Sequence, residues 1–304
     1  LSHVIYSFVN PNAGTTLNLS GDVINQGVME AVTKCHSKNI ETFFAIGGGG
    51  ATATWDQLIT PANRAQTITQ LRKIATTYNF DGVDVDLEGD RITVDYNDFV
   101  IQLSDTLRKH SKKLSIALAK WQGEKVSAAV YDRLDYLNAM IYDFKKSTAQ
   151  SASSFADFQS HVQYFKGKLP AAKINAGVPF YASKYDGNTW LGQTIPYKGM
   201  MKINPNAYLL NYMYSTPTES WWFDGHPVLM QKVAYTLQQS VGGMMAWHVL
   251  CDTKDDKTSL FKLINYCAAN PSGFKPTDTY IFSNWGNGKA MVADGAANEA
   301  PVLQ

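Results

Sequence analysis

The sequence predicts an α/β protein built as a (β/α)8, or TIM, barrel followed by a short tail. Apolar runs typical of strands alternate with amphipathic stretches about seven times, which favours βαβ units around a parallel sheet. The chain has 304 residues, and a barrel of this kind needs about 250. Hydrophobic residues make up 45% of the chain, which supports a full core.

The strands are identified by runs rich in Val, Ile, Tyr and Phe that end at Gly, Pro or Asn. The predicted strands span residues 1–9, 41–46, 80–90, 113–119, 137–143, 173–181 and 242–248. A short extra strand is predicted within residues 208–214. The rest of segment 182–226 is aromatic and is predicted to be a loop.

The helices are placed by apolar residues that recur every three or four positions. The first begins at a cap on Asp22 and presents Val28 and Val32 on its apolar face. Pro61 starts the second, since proline is favoured in the first turn of a helix. The predicted helices span residues 22–35, 61–78, 93–112, 153–166, 227–240 and 259–269.

The third strand alternates apolar residues with three acids, Asp84, Asp86 and Glu88. Because successive side chains of a strand point to opposite faces, the three carboxylates share one face. A strand flanked by helices is expected to be apolar on both faces, so acids on an inward face indicate function. Asp86 and Glu88 lie about 7 Å apart along the strand, near enough for one charge to raise the pKa of the other.

Two other interpretations of this stretch stay open. The first is an EF-hand calcium loop, in which five residues would fall roughly at loop positions 1, 3, 5, 6 and 12. These residues are Asp84, Asp86, Glu88, Gly89 and Asp95. The second is a solvated edge strand with one polar face.

Composition excludes several classes of partner. A net charge of +1 without a basic block argues against nucleic acid, and no apolar run approaches the ~20 residues that span a bilayer. Cys35, Cys251 and Cys267 lie far apart without CxxC spacing, which argues against zinc. The glycine run at 47–50 is not followed by GK[ST], so it is a weak phosphate-loop signal. We expect no metal, no cofactor and a monomer.

Polar or aromatic residues recur at the C-terminal ends of successive strands, the end of such a barrel that carries active sites. They are Glu88, Trp121, Tyr142, Asp143, Tyr181 and Trp247. The sequence therefore predicts one site assembled from several strands.

Four stretches, in the right order and spacing, resemble the signatures of glycoside hydrolase family 18, the chitinase family. They are Asp81–Glu88 (DxxDxDxE), Met140–Asp143 (MxYD), Gly177–Tyr181 for the seventh strand and Gly242–Trp247 for the eighth. The resemblance covers residues 1–268. It implies a (β/α)8 barrel, action on β-1,4-linked N-acetylglucosamine and secretion.

By this resemblance, Glu88 is the general acid that protonates the glycosidic oxygen. Asp86 orients the N-acetyl group of the substrate, whose carbonyl oxygen is the nucleophile in place of a second protein carboxylate. Tyr142 donates a hydrogen bond to that oxygen, Asp143 binds the same sugar and Trp247 forms its apolar floor. Asp84 completes the catalytic set, and the other implied substrate-binding residues are Met140, Tyr181, Trp121, Gly47 and Gly48. Core packing is the alternative role for Tyr142 and Trp247.

The sequence departs from the family pattern at two places. The SxGG of the third family strand is here Ala45-Ile46-Gly47-Gly48, so the serine that supports the innermost aspartate is missing. Residues 4–8 match the second family strand, and no first strand precedes Leu1. We expect the strand at residues 4–9 to have an open or improvised neighbour on one side. The chain opens on Leu1 without a signal peptide, so we interpret it as processed or truncated.

The tail differs in character from the barrel, and we predict domains at 1–268 and 269–304. Residues 279–282, 288–293 and 301–304 loosely resemble the start of a ricin-type β-trefoil lectin repeat. About thirty residues are too few for a folded trefoil. The alternative is that residues 280–286 supply the missing barrel strand.

The favoured function is a secreted, retaining, endo-acting hydrolase of chitin or chito-oligosaccharides. Residues 182–241 leave room for only a small insertion, which favours an open cleft. One alternative is an endo-β-N-acetylglucosaminidase that cuts N-glycan cores. A second is a chitin-binding lectin without activity, although such relatives usually lose the terminal glutamate of the signature, and Glu88 is present.

Overall fold

The computed structural model describes residues 1–11, 26–49, 53–143, 149 and 152–271, with the backbone of three short strands beyond them. Most strands belong to a curled parallel sheet or to a smaller antiparallel sheet inserted into it. In chain order they are β1 (His3–Ser7), β2 (Glu41–Gly47), β3 (Gly82–Asp86), β4 (Lys113–Leu118), β5 (Tyr136–Ala139), β6 (Ile174–Pro179), β7 (Tyr181–Asp186), β8 (Thr189–Pro196), β9 (Tyr212–Tyr214), β10 (Glu219–Trp222) and β11 (Gly243–Trp247).

Helices separate these strands along the chain. They are α1 (Gln26–His36), α2 (Thr54–Leu58), α3 (Arg64–Thr77), α4 (Val94–Arg108), α5 (Lys120–Gly123), α6 (Ala128–Tyr131), α7 (Phe155–Lys166), α8 (Tyr197–Ile203), α9 (His226–Gln238) and α10 (Leu260–Ala269). One-turn 3₁₀ helices occur at Gly89–Arg91, Ala171–Lys173, Ala207–Leu209 and Val249–Cys251. None of the helices in the described residues combines the length and the apolar character needed to cross a bilayer.

The principal sheet has seven strands in the order β1-β2-β3-β4-β5-β6-β11. Every neighbouring pair in it is parallel, as the alternation of strands and helices predicts. The outward side chains of β3, Val83 and Val85, are buried in the same core as Leu71 of α3 and Phe99 of α4. The predicted fold class, an α/β barrel of parallel strands, is confirmed.

The barrel is open between β1 and β11. Within the described residues, β1 pairs with β2 and β11 pairs with β6, and no strand lies between them. No residue of β1 or β11 is fully buried, whereas every residue of β3 is. The expectation of an open neighbour beside the first strand is therefore confirmed.

Local signals place some helix ends accurately. The Thr93 side chain accepts a hydrogen bond from the Tyr96 amide at the start of α4, as expected of an N-cap threonine. α3 begins at Arg64, three residues after the predicted start at Pro61, because residues 60–63 form a turn closed by Asn63 N–H to the Thr60 carbonyl (3.1 Å). The predicted cap at Asp22 lies outside the described residues.

Segment 182–226 is not a loop, and that prediction is wrong. It carries most of a four-stranded antiparallel sheet of order β8-β7-β10-β9, together with α8. The central strands β7 and β10 are paired with each other although more than thirty residues separate them in the sequence. Such distant pairing is not visible in the local sequence, where the residues typical of turns favoured a loop. Within the predicted strand at 208–214, only Tyr212–Tyr214 is extended.

The tail forms a separate three-stranded antiparallel sheet of β12 (Ile281–Ser283), β13 (Ala290–Ala293) and β14 (Val302–Leu303). β12 pairs with β13 and not with a barrel strand. The alternative that this stretch fills the gap in the barrel is thus wrong for Ile281–Ser283, and the rest of 280–286 lies outside the described residues. The resemblance to a lectin repeat stays a prediction.

A buried ion pair ties α9 to the end of the insertion. Lys232 Nζ lies 2.5 Å from Asp224 Oδ2, and both side chains are 0% exposed. Lys232 also donates to the Ser153 carbonyl (2.5 Å) and hydroxyl (2.8 Å). Burial lowers the pKa of Lys232, while the Asp224 charge opposes that shift. Such a pair is costly to break, because one unpaired charge then stays buried.

We therefore expect Lys232→Met to lower the free energy of unfolding by about 3 kcal/mol or more. Urea denaturation measures this loss. The matched control is Lys168→Met, which removes the solvent-exposed pair with Glu124 and should cost much less than Lys232→Met, because exposed ion pairs contribute little to stability. Equal losses in the two variants would contradict the structural role given to Lys232.

Candidate active site

The acids of the third strand lie at the centre of the principal sheet. β3 pairs with β2 on one side and β4 on the other, and Asp84 and Asp86 are buried on its inner face. Glu88 follows the end of the strand and precedes the turn Gly89–Arg91. The stretch is thus neither an EF-hand loop nor a solvated edge strand. Extended backbone with a neighbour on each side cannot wrap a calcium ion.

Asp84 is held by side chains from the next two strands. Ser115 Oγ donates to Asp84 Oδ1 at 2.5 Å, and Asn138 Nδ2 donates to the same oxygen at 2.9 Å. Asn175 Nδ2 in turn donates to Asn138 Oδ1 (3.0 Å), which fixes the orientation of the Asn138 amide. Burial raises the pKa of Asp84, and these hydrogen bonds oppose the rise. Ser115 and Asn138 therefore replace the serine whose position Ala45 occupies.

Asp86 is the least satisfied carboxylate of the site. Its side chain is buried, and its Oδ1 atom has no hydrogen-bond partner among the described residues. Burial, followed by the charges of Glu88 and Asp84, raises the pKa of Asp86 to about 9. Asp86 therefore holds a proton at neutral pH and presents an unpaired polar atom to a ligand.

Glu88 is suited to donate a proton. It is half-buried, and burial followed by the Asp143 charge raises its pKa, while Arg91 opposes the rise. Arg91 Nη1 donates to the Glu88 carbonyl at 3.4 Å and its Nε lies 3.3 Å from Asp56 Oδ1. A carboxyl group that keeps its proton closer to neutral pH is a better general acid.

Tyr142, Asp143 and Tyr181 form a connected group beside the acids. The Tyr181 hydroxyl donates a short hydrogen bond to Asp143 Oδ1, and the rings of Tyr142 and Tyr181 meet edge to face with centroids 6.5 Å apart. Burial, followed by the charges of Asp86 and Asp143, raises the pKa of Tyr142. Tyr142 therefore keeps its proton and can act as a hydrogen-bond donor.

The ends of β5 and β6 differ from the prediction. β5 ends at Ala139, so Met140 to Asp143 follow the strand, and Asp143 has a left-handed backbone (φ 63°). Such conformations cluster at functional sites. Tyr181 begins β7 and does not end β6.

Trp121 lies in α5 and not at the end of β4, which stops at Leu118. The helix begins there because Gln122 Oε1 accepts from the Ala119 amide (3.0 Å). The Trp121 ring is 60% exposed. Lys125 Nζ lies 6.0 Å from that ring and 3.5 Å from Asp90 Oδ1. Trp121 is therefore on the rim, next to the loop that follows Glu88.

Gly47 and Gly48 fix the position of the acidic strand. Their φ angles are 98° and 84°, which favour glycine. A Cβ on Gly47 would lie 2.1 Å from the Asp86 carbonyl oxygen, and one on Gly48 would lie 2.7 Å from the Phe8 ring. The Gly48 amide donates to the same Asp86 carbonyl at 2.7 Å. The backbone of these two glycines thus packs closely against the backbone of Asp86. Contact between the glycines and a substrate stays a prediction.

The remaining predicted residues flank this group. Met140 is buried, and its amide donates to the Leu118 carbonyl at 3.0 Å. Trp247 is half-buried at the end of β11, with its ring 5.6 Å from the Phe8 ring. The structure thus brings the three acids together with Tyr142, Asp143 and Tyr181, and places Trp247 and Trp121 on other elements of the barrel.

Sequence analysis missed Ser115, Asn138, Asn175 and Arg91. For Ser115, Asn138 and Asn175 the available signal was weak, since each is a single small polar residue in an otherwise largely apolar strand. Arg91 lies in the turn after Glu88 and carries no such signal. Within the described residues, no group of three or more His, Cys, Asp and Glu side chains is arranged to hold a metal ion.

The sequence profile of "Glycosyl hydrolases family 18" matches residues 1–252. The chain belongs to this family. Endochitinase 1 of Metarhizium robertsii is 26% identical to it, with 83% of this chain and 76% of that protein covered. The crystal structure of a family 18 chitinase from the chitin utilization locus of Flavobacterium johnsoniae is 27% identical, with a TM-score of 0.76 and coverage of 87% of this chain and 86% of that one.

Not every solved structure that resembles this chain is named as a chitinase. A chitinase-like agglutinin from Robinia pseudoacacia superposes with a TM-score of 0.73 at 20% identity, covering 88% of this chain and 93% of that one. A shared fold does not by itself establish function, so the site has to carry the functional argument. Family membership, the sequence relatives and the structural likeness together identify the chain as a glycoside hydrolase.

The raised pKa of Asp86 predicts a pH-dependent effect of Asp86→Asn on stability. In the wild type the folded pKa is about 9 and the ordinary value is 3.8, so folding takes up a proton between these values. The contribution is complete below the unfolded pKa and is lost as the pH rises through the folded one.

Asn cannot titrate, so the free energy of unfolding of Asp86→Asn relative to wild type should rise from pH 4 to pH 8, by at most about 1.4 kcal/mol per pH unit. Urea denaturation at several pH values measures the difference. Asp90→Asn, on a fully exposed side chain, serves as the control. A difference that stays constant or falls as the pH rises would contradict the burial argument.

Proposed function

We propose that this protein is a retaining, endo-acting hydrolase of chitin or chito-oligosaccharides in which the N-acetyl group of the substrate is the nucleophile. The arrangement of the acids carries the proposal. Asp84 and Asp86 come from one face of β3, and Glu88 lies just beyond its end. The nearby carboxylate Asp143 is bound to the Tyr181 hydroxyl. A retaining enzyme with a protein nucleophile needs two carboxyl groups on opposite sides of the bond, and neighbours on one strand do not supply that.

In this mechanism Glu88 gives its proton to the glycosidic oxygen as the bond to the anomeric carbon breaks. The acetamido carbonyl oxygen attacks that carbon and forms an oxazolinium ion. Asp86 accepts a hydrogen bond from the acetamido N–H through its unpaired oxygen, and the Tyr142 hydroxyl donates to the acetamido oxygen, so that both groups hold the acetamido group in place for the attack. Water then opens the ring as Glu88 takes back a proton. A buried site strengthens each of these electrostatic contacts.

The relatives support the substrate. The M. robertsii protein is named an endochitinase and the F. johnsoniae protein a chitinase. Chitin is a polymer found outside the cytosol, which favours a secreted enzyme. The acids, Tyr142 and Tyr181 all come from one chain, so a monomer is sufficient for the proposed chemistry. Met140, Gly47, Gly48, Trp121 and Trp247 are proposed to line the bound sugars.

Glu88→Gln is the first test. The amide cannot donate the catalytic proton, so we expect hydrolysis of chito-oligosaccharides to slow at least ~100-fold while oligosaccharide binding persists. Activity is measured by product analysis and binding by calorimetry. A high-mannose glycopeptide, incubated in parallel with the wild type, should stay intact.

Glu124→Gln, the same exchange on a side chain that is 70% exposed, should keep full activity. If the wild type cleaves the glycopeptide and leaves chito-oligosaccharides intact, the substrate assignment is wrong. If wild type binds chito-oligosaccharides without cleaving them, the protein is a lectin.

The second test is stereochemical. Two displacements at the anomeric carbon, the first by the acetamido oxygen, leave the product in the β configuration. NMR of the first-formed product should therefore show the β anomer, and a thiazoline that mimics the bicyclic intermediate should inhibit. An α anomer formed first, or no inhibition by the thiazoline, would refute the roles of Asp86 and Tyr142 even if Glu88 is the acid.

A further inference from the structure

The turn that follows Glu88 is held mainly by its last residue. A Cβ atom added to Gly89 would meet no other atom within 4 Å, and the Asp90 side chain is fully exposed. Lys125 lies 3.5 Å from Asp90, and an exposed ion pair of this kind contributes little. Arg91 is 24% exposed, so it supplies the firmest contacts of the three turn residues.

Arg91 bridges the residue after β3 and the helix α2. Its Nη1 atom donates to the Glu88 carbonyl at 3.4 Å, and its Nε atom lies 3.3 Å from Asp56 Oδ1. A guanidinium is planar and its donors point in fixed directions, so two contacts restrict its position. The backbone at Glu88 is thereby tied to α2.

The α2 end of this bridge is itself fixed. Trp55 of α2 is 0% exposed, and its Nε1 atom donates to Asn10 Oδ1 at 2.8 Å. Asn10 also binds both backbone groups of Gly47: it accepts from the amide and donates to the carbonyl, each at 3.0 Å. Gly47 packs against the Asp86 backbone. A continuous set of contacts therefore runs from the end of β2 through α2 to the turn.

Arg91 also acts on Glu88 through its charge. The charged groups that face Glu88 are Asp86 from β3, Asp143 after β5 and Arg91 from the turn, and Asp56 of α2 faces Arg91. Burial followed by the Asp143 charge raises the pKa of Glu88, and Arg91 opposes that rise. A nearby opposite charge favours the ionised carboxylate. Arg91 thus limits how far the pKa of the acid rises.

We propose that Arg91 is a positioning residue for the general acid, which holds the Glu88 backbone against α2 and keeps a positive charge near the carboxyl group. The inference rests on the proposed function, in which Glu88 protonates the glycosidic oxygen. A general acid has to lie within hydrogen-bond reach of the atom that it protonates. Glu88 lies beyond the last residue of β3, where strand pairing no longer fixes the backbone, and the contacts of Arg91 supply that restraint.

Stability alone is the competing role for Arg91. An arginine that ties a turn to a helix also favours folding, and its loss would lower the rate by the same factor for every substrate. A displaced acid acts differently, because it slows only the step that uses its proton. The test therefore compares leaving groups that do and do not need a proton.

The experiment measures kcat/KM of Arg91→Met and wild type on a chito-oligosaccharide and on a dinitrophenyl glycoside of chitobiose. The sugar leaving group needs a proton, whereas dinitrophenolate departs without one. We expect kcat/KM to fall about tenfold on the oligosaccharide and to stay within about twofold of wild type on the dinitrophenyl glycoside.

Arg133→Met is the matched control. Arg133 Nε lies 3.3 Å from Asp105 Oδ1, and its Nη1 donates to the Ala129 carbonyl at 3.2 Å. These contacts match those of Arg91 but lie before β5, at the end of the barrel away from the acids. Arg133→Met should have the kcat/KM of wild type on both substrates.

The pH profile tests the charge. The alkaline limb of kcat/KM reports the pKa of the acid in the free enzyme. Arg91→Met removes the positive charge, so the pKa of Glu88 should rise and the limb should move to higher pH by about half a unit or more. Arg91→Lys keeps the charge and should keep the limb of wild type. Asp56→Asn keeps the Arg91 charge but loses its anchor, so it should slow the oligosaccharide without moving the limb to higher pH.

The inference is overturned if Arg91→Met keeps full activity, if it loses the same factor on both substrates, or if its alkaline limb stays or moves to lower pH. If Arg91→Met does not fold, Asp56→Asn decides, and an equal loss on both substrates then assigns the bridge to stability. In each case the wild type still hydrolyses chito-oligosaccharides and the proposed function stands. A wild type that cleaves neither substrate would overturn the proposed function and the role of Arg91 together.

Discussion

The hydrogen bonds to Asp84 are the constraint on which the site depends. A carboxylate buried without donors would be strongly destabilising, and here Ser115 of β4 and Asn138 of β5 supply them. Three strands are thereby locked in one register at the inner face. A slip of one residue in β4 or β5 would turn the donor to the outer face and leave Asp84 unpaired. The register of the sheet therefore determines whether the buried Asp84 keeps its hydrogen bonds.

The three acids differ in their hydrogen bonds and in their burial. Asp84 has two donors, Asp86 has an unpaired oxygen, and Glu88 is half-buried near Arg91. Burial and the nearby charges of Glu88 and Asp84 together raise the pKa of Asp86 to about 9, because like charges at close spacing cannot all ionise at low cost. This unsatisfied arrangement lowers stability at neutral pH, and a substrate amide that pairs with Asp86 would relieve it. An unpaired buried polar group of this kind lowers stability and is expected where a site has to select one chemical group of the ligand.

The sequence predicted what depends on local periodicity. The two-residue alternation in β3 placed the acids on one inner face, and the match of residues 4–8 to the second family strand predicted the open edge beside β1. It failed where distant segments decide the structure. β7 and β10 are extended because they pair with each other, and no feature of either stretch alone shows that. Ser115 and Asn138 look like ordinary strand residues until the register brings them to Asp84. Trp121 was assigned to a strand end because the short helix α5 depends on one Gln122 side chain.

The unpaired edges of β1 and β11 do not disturb the acids, because the acids lie on β3, at the centre of the sheet. β3, β4, β5 and β6 each have a neighbour on both sides, and they or the residues just after them carry Asp84, Asp86, Glu88, Tyr142 and the donors. Trp247 ends β11, which faces the gap and has no fully buried residue. The proton transfer proposed for Glu88 needs accurate placement of the group, whereas the apolar floor proposed for Trp247 would tolerate a larger displacement. Within the described residues, the strands that carry the acids are thus paired on both sides, whereas β11, which carries Trp247, is paired on one side only.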